Sequence, residues 1–367
     1  MAVKKMLKWI GIILIAVVLL FFVVIVVVRI YNYCKYRIAS PNGIQESTYL
    51  EVNGVQHYVQ IRGKDKNNPV ILFLHGGPAS PMGYVSPYYQ SDLEDEYTFI
   101  NYDQRGCGRT YYANDGGAQN LSIEQLEQDL DVIVDYALKR FEQKQVIIMG
   151  HSWGTILGTL YIQDHPEKVS SYIGVSQIVD VFSGKVSIAE KARSLAEGQN
   201  EEDAVLLDKL IHRMKATDSY EKINWNDLSK MVGLSAKYLS VEGECSSLKQ
   251  MWLGVTSPYM NFTDMRWFIK QMNMNEFFEM EKPLMEYAFF DFNLETLSHD
   301  YEVPVYYIAG EGDYATPQDE VERYCHSISA PNKGFYLLEN VGHSMFIDNP
   351  SEFSRTVREI LANESFS

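Results

Sequence analysis

The sequence predicts an α/β fold: a mainly parallel sheet with helices on both faces, split by a helical insertion and preceded by a membrane-spanning helix. Three observations lead there. Short, continuously apolar runs alternate with stretches of helical spacing between about residues 70 and 181, the pattern of buried parallel strands joined by helices. From about Val181 to Asp300 the strand signal disappears, and Met, Tyr, Phe and charged residues take over before it returns at Val303. Ahead of all this, Trp9 to Val28 is uninterrupted apolar sequence. A chain of 367 residues has room for two domains or for one with an insertion. The expected organisation is an anchor over 1–40, with its helix at about 9–28. The first part of the α/β core covers 41–180, a helical cap 181–300, and the second part of the core 301–367.

Each element has its own reason. Twenty helical residues at about 1.5 Å each span about 30 Å, the thickness of a bilayer hydrocarbon core. A cleaved signal peptide would have a shorter apolar region and a small-residue site after it, whereas Arg29-Ile30-Tyr31-Asn32-Tyr33 follows here. An uncleaved single-pass anchor is therefore expected. Lys4, Lys5 and Lys8 on one side nearly balance Arg29, Lys35 and Arg37 on the other; a short charged tail in the cytoplasm, with the large domain extracytoplasmic, is the orientation expected. Asn53-Gly54 between Ser47–Val52 and Gln56–Ile61 suits the positive φ angles of a tight hairpin turn. Val70–Leu74 and Thr98–Tyr102 read as strands covered on both faces. Leu126, Leu130, Val134 and Leu138 recur every four residues, which gives the Ile123–Phe141 helix one packing face. Gln145–Met149 is a strand, Thr155–Gln163 a helix and Val169–Val175 another strand. Helical spacing recurs at Ala189–Ala196 and Ala204–Lys215. Val303–Ile308 and Gly334–Leu338 resume the sheet, and an amphipathic helix at Ser351–Ala362 closes it.

Composition narrows the function classes. Six of the 32 basic residues and none of the 48 acidic ones lie in the first 40, so the remainder is more acidic than the net charge of −16. Such a surface repels nucleic-acid phosphates, and no nucleic-acid partner is expected. Cys34, Cys107, Cys245 and Cys325 are far apart and form no C-x-x-C pair, and the histidines are dispersed. Neither a disulfide framework nor a metal site is indicated, and no cofactor is expected.

The chemistry concentrates at Gly150-His151-Ser152-Trp153-Gly154. This is G-x-S-x-G between a strand and a helix, where glycines leave room for a sharp turn that exposes the serine. A serine hydroxyl needs a base to take its proton and an acid to orient that base. Asp313 lies just beyond the strand at 303–308 and His343 just beyond the one at 334–338, in the chain order Ser, Asp, His. Ser152, Asp313 and His343 are the expected catalytic residues, with Glu311 as the reserve acid. His75-Gly76-Gly77-Pro78 follows the Val70–Leu74 strand, and its glycines can present N–H groups; Gly77 and Trp153 are the expected oxyanion donors. His151 reads as a packed structural histidine, and the remaining histidines, His57 among them, as ordinary surface or insertion residues.

Three segments, His75-Gly76-Gly77-Pro78, Asp103-Gln104-Arg105-Gly106-Cys107-Gly108 and Gly150-His151-Ser152-Trp153-Gly154-Thr155, carry a resemblance to the α/β-hydrolase superfamily. Within it the chain resembles the proline iminopeptidase-like serine peptidases over about Glu46–Val181 and Val303–Ala362. The resemblance implies an α/β-hydrolase fold with the insertion as its cap. It also implies removal of an N-terminal residue, often proline, from short peptides, with the free amine held by cap carboxylates. Glu276 is the expected amine ligand, with Glu244, Glu279 and Glu281 as rivals. Ala79 and His151 stand where glycine is common in that family. Asp103 and Arg105 are expected to brace their loop as a buried ion pair. The implied activity is that of a serine aminopeptidase on short peptides or amino acid amides. The alternatives are a carboxylesterase or monoacylglycerol-type lipase, and a non-catalytic binding protein on the same fold. A small-molecule or short-peptide substrate and, through the anchor, a lipid bilayer are the expected partners.

Overall fold

The computed structural model describes residues 2–115, 121–362 and 364. The outermost residues of the predicted 1–40 and 301–367 segments, and 116–120 within 41–180, lie outside the described residues. Helix α1 runs over Ala2–Tyr36, longer at both ends than the apolar run. The flanking Lys and Arg–Tyr segments contain no glycine or proline and continue the helix until the chain nears Pro41. Among the described residues it is the one helix long and apolar enough to cross a membrane.

The hairpin follows as β1 (Ile44–Val52) and β2 (Val55–Gly63). Val52 pairs with Val55, and Asn53 and Gly54 both have positive φ, 49° and 76°, as a two-residue primed turn requires. Then come β3 (Val70–Leu74), α2 (Ser86–Gln90), β4 (Thr98–Tyr102), α3 (Gly108–Ala113), α4 (Ile123–Phe141), β5 (Val146–His151), α5 (Trp153–Asp164) and β6 (Val169–Val175). Among the described residues seven α-helices precede the next strand: α6 (Val181–Ala196), α7 (Glu201–Lys215), α8 (Trp225–Leu239), α9 (Ser247–Thr256), α10 (Phe262–Met272), α11 (Met274–Met280) and α12 (Lys282–Glu286). The sheet resumes with β7 (Val305–Gly310), followed by α13 (Gln318–Ser327), β8 (Lys333–Leu338), α14 (Met345–Asp348) and α15 (Pro350–Leu361).

The eight strands form one sheet in the order β1-β2-β4-β3-β5-β6-β7-β8. β1–β2 and β2–β4 pair antiparallel; every pair from β4 to β8 is parallel. Side chains of one strand alternate between faces, and two cores result. Leu72, Ile100 and Ile148 join α4 and α5 on one face, while Ile71, Phe99 and Ile147 join α14 and α15 on the other. The loops after β3, β5, β7 and β8 therefore all leave from the carboxyl edge of a sheet clamped on both sides. A separate small core, built on Ala189, Leu207, Leu210 and Met231, ties α6, α7 and α8 to one another.

Candidate active site

Ser152 sits between β5 and α5 with φ 52° and ψ −120°. That is a costly conformation for a non-glycine residue and is held by its surroundings. The Ser152 N–H donates to Val175 O at 3.0 Å. A Cβ at Gly150 would lie 2.6 Å from the Gly154 carbonyl, and one at Gly154 would collide with the Leu74 carbonyl. The strand-to-helix turn therefore closes only with glycine on both sides.

β7 and β8 deliver the polar partners. Asp313 is buried, and its carboxylate accepts hydrogen bonds from Ala315 N (2.7 Å), Thr316 N (2.9 Å) and Thr316 Oγ1 (2.6 Å). His343 Nδ1 donates to the same carboxylate at 2.9 Å. Burial works against the charge, but the His343 interaction and the Thr316 hydrogen bonds outweigh it and hold Asp313 well below the usual carboxylate range. With its Nδ1 proton committed, the ring of His343 leaves Nε2 as the basic atom. Ser152 Oγ and His343 are not hydrogen-bonded in this structure; such contacts tighten when substrate fills the site. Glu311 is exposed and accepts from Asn340 N at 2.9 Å, so it faces away from the imidazole.

His151 does more than pack. Its Nε2–H donates to the His343 carbonyl at 3.1 Å, and Ser176 Oγ donates to the same oxygen at 3.0 Å. Burial, then the nearby His343, push the His151 pKa down to about 3 and keep the ring neutral. These two donors fix the backbone that carries His343; no sequence motif marks Ser176.

Gly77 and Trp153 both line the cavity beside Ser152. Trp153 is the first residue of α5, so its N–H has no acceptor within the helix. Gln104 ties the two donor segments together. Its side-chain oxygen accepts from Trp153 Nε1 at 3.1 Å, and its N–H donates to His75 Nε2 at 3.2 Å. His75 Nδ1 in turn donates to Gly76 O at 2.9 Å, and desolvation lowers its pKa to about 4, which keeps it neutral. The signal for Gln104 was present in the Asp103–Gly108 motif, but its partners lie on other loops.

Three expectations are corrected. Asp103 and Arg105 do not pair with each other: Arg105 forms a two-point ion pair with Asp129 of α4 at 2.7 and 2.8 Å, and Asp103 accepts from Arg109 N at 2.7 Å. Asp129 reaches Arg105 only because α4 packs under the sheet. His57 is fully buried, 3.3 Å from Asp129 and 3.2 Å from Asp103 O, because β2 is an inner strand. Glu276 is exposed and does not line the cavity. The turn from α10 into α11 places it against Lys270 and Asn273, which satisfy its carboxylate.

Above Ser152 lies a cavity of about 430 Å³. Its floor is Ser152, Trp153, Gly77 and Pro78, and its roof comes from α8, α11 and α12, through Trp225, Leu228, Phe278 and Met285 among others. Two charged residues line it. Asp180 is engaged as the N-cap of α6, accepting from Ser183 N at 2.8 Å. Lys185 donates to Ala315 O at 3.1 Å, and burial pushes its pKa down. Of the rival carboxylates, Glu244 accepts from Tyr314 Oη at 3.1 Å and Glu279 is exposed. Glu281 is fully buried, and neither of its oxygens has a hydrogen-bond partner among the described residues. Desolvation raises its pKa to about 8. It lies at the break between α11 and α12, in chain between the cavity-lining Phe278 and Met285, and is not itself among the residues that line the cavity.

Comparison with known proteins agrees with this architecture. Residues 69–202 match the family described as alpha/beta hydrolase fold. The chain is 25% identical over 311 residues to the probable aminopeptidase YbaC of Bacillus subtilis, covering 84% of this chain and 93% of that protein. It is equally 25% identical to a proline iminopeptidase of Lactobacillus helveticus, over 84% of this chain and 95% of the relative. The solved proline iminopeptidase of Mycobacterium smegmatis superposes with a TM-score of 0.61 at 20% identity, over 86% of this chain and 98% of its own.

Proposed function

We propose, from the premise that the chain is an α/β-hydrolase enzyme of the proline iminopeptidase-like kind, that it is a membrane-anchored serine aminopeptidase acting on short peptides or amino acid amides. In this reading Ser152 attacks the scissile carbonyl while His343 Nε2 takes its proton, and Asp313 stabilises the imidazolium that forms. The N–H groups of Gly77 and Trp153 receive the oxyanion. His343 then returns the proton to the leaving amine, and water releases the acyl-enzyme by the same steps. The helices α6–α12 act as the cap, α1 holds the enzyme in the bilayer, and the catalytic domain lies outside the cytoplasm.

The observation that carries the aminopeptidase reading is Glu281. A buried carboxylate with no partner is costly, and a substrate ammonium would supply the missing counter-charge. Asp180 cannot serve as readily, because α6 already uses it. The test is a panel of prolyl and alanyl arylamides, their N-acetyl forms, and short-chain and monoacylglycerol esters. Free-amine arylamides should be the preferred substrates, and acetylation should abolish turnover. Ser152→Ala should lower turnover at least about 10⁴-fold and remove labelling by a fluorophosphonate. Glu281→Gln should raise KM for free-amine substrates by about 10- to 100-fold, the worth of a charge-assisted hydrogen bond, and leave ester hydrolysis unchanged.

A second reading, an esterase or monoacylglycerol-type lipase, is favoured by the cavity wall. The wall is largely apolar, and the cation it offers, Lys185, repels an ammonium and suits an acyl carbonyl instead. Esters cleaved far faster than any arylamide would decide for it.

A further inference from the structure

The outward faces of α9 and α10 are apolar. On α9, Leu248 and Met251 are 74% and 53% exposed; on α10, Phe262, Met265, Phe268, Ile269 and Met272 are between 46% and 73% exposed. Their spacings of three and four residues place each set on one side of its helix. The inner side of α10 is apolar too: Trp267 is buried and its Nε1 donates to Ala79 O at 3.0 Å. A helix lying on a soluble protein keeps its outer face polar, and a contiguous exposed patch of this kind marks an interaction surface.

The position of α1 identifies what covers the patch. The Phe21 ring lies against the Trp252 ring of α9, with centroids 6.4 Å apart. Phe21 is seven residues inside the end of the apolar run at Val28, about 10 Å along the helix axis. Trp252 is therefore held at the depth of hydrocarbon when α1 spans a bilayer. Arg29, the first charged residue after the run, donates to Val255 O at 3.2 Å and Met260 O at 2.8 Å, and Asn32 donates to Thr256 O at 3.0 Å. These bonds pin the end of α9 and the start of α10 at the level where α1 leaves the apolar phase.

We infer that the outer faces of α9 and α10 are seated in the same bilayer that α1 spans, at the boundary between hydrocarbon and headgroups. The inference rests on α1 being a membrane anchor. The contact is with lipid: α9, which carries part of the patch, packs against α1, and a partner protein docked there would have to enter the membrane beside that helix. Met274 lines the cavity, is half exposed, and follows Met272 by two residues. One rim of the cavity thus adjoins the interface, where amphipathic substrates concentrate.

The test uses the full chain in phosphatidylcholine–phosphatidylglycerol vesicles. An environment-sensitive nitrobenzoxadiazole dye is placed on single cysteines at Met251, Ile269, Val18 or Glu142 in a Cys34→Ser background, the other three cysteines being buried. Lipids carrying a nitroxide at shallow or deep positions serve as quenchers. Quenching at 251 and 269 chiefly by the shallow nitroxide, at 18 by the deep one, and at 142 by neither, is the expected result. Quenching at 18 without quenching at 251 and 269 overturns the seating and leaves the anchor standing. Quenching at 251 and 269 without quenching at 18 overturns the anchor, and with it the inference that these faces share a bilayer that α1 spans. A blue-shifted but unquenched dye at 251 and 269 means that a second protein copy covers the face, which also overturns the inference. Leu248→Cys and Met272→Cys repeat the measurement if the first pair fails to fold.

Discussion

The loops at the carboxyl edge of the sheet and the helices above them treat a buried carboxylate in opposite ways. Asp313, on the loop after β7, receives hydrogen bonds from Ala315 N, Thr316 N, Thr316 Oγ1 and His343 Nδ1, and its charge is stabilised. Glu281, between α11 and α12, is as deeply buried and has no hydrogen-bond partner among the described residues, and its charge is opposed. The first group is complete within the fold; in the proposed aminopeptidase reading the second is completed by the substrate ammonium. In that reading a preorganised centre stands beside an unsatisfied recognition group, the division of labour expected when one machinery is fitted with different specificities. Each substitution below breaks one side of that contrast.

The largest effect is expected at Asp313. In Asp313→Asn the side-chain amide presents its NH₂ to one of the donors that now meet the carboxylate, and it disturbs the tautomer of His343. Turnover on any substrate should fall by about 10⁴-fold with little change in KM. Stability should respond as well, with a definite sign. A carboxylate whose folded pKa is depressed stabilises the fold above its ordinary pKa, about 3.9, and this contribution is lost as pH falls below that value. The variant should thus melt lower than the parent at pH 7, and calorimetry should find the gap closing below about pH 4. A constant gap from pH 7 to pH 3 would mean that Asp313 acts by packing rather than by charge.

Next comes Gln104, which joins the loop after β3 to Trp153 at the start of α5 without facing the cavity. Gln104→Ala frees the Trp153 indole and loosens the His75–Gly77 loop, and kcat should drop by about 10- to 100-fold, less than removal of a donor itself would cause. Gln104→Glu keeps an acceptor for Trp153 Nε1 and should recover most of the loss. Failure of that rescue, with KM rising together with the fall in kcat, would show that Gln104 supports the fold generally rather than the donor geometry.

How much of this was legible in the sequence follows the same divide. The elbow, the Asn53-Gly54 hairpin and the Ile123–Phe141 helix could be read because each depends on residues close together in the chain, and residue type is dictated by local backbone geometry. Asp313 and His343 could be read because strands β7 and β8 point their following loops at the elbow. Pairings across elements could not. Arg105 finds Asp129 through the packing of α4, and Ser176 reaches the His343 carbonyl through sheet order. Above the sheet, helical periodicity alone does not say which face turns inward. Glu276 and Glu281 are five residues apart on neighbouring turns; one points to Lys270 and solvent, the other into the protein.

The smallest effect, and the sharpest on the unsatisfied side, is expected from the stability of Glu281→Gln. In the unfolded chain a glutamate ionises near pH 4.3, whereas folded Glu281 holds its proton to about pH 8. Between those values the folded state binds the extra proton, so stability falls as pH rises across the window. A neutral glutamine carries no such penalty. The variant and the parent should differ least near pH 4, and the variant should melt progressively higher as pH approaches 8. Adding a free-amine ligand such as prolinamide should reverse the order, because the ammonium pairs with Glu281 and stabilises the parent while gaining little from the glutamine. If the parent gains nothing from prolinamide and still falls behind the variant at high pH, Glu281 is a buried acid without a recognition role, and the apolar cavity with Lys185 becomes the better guide to the substrate.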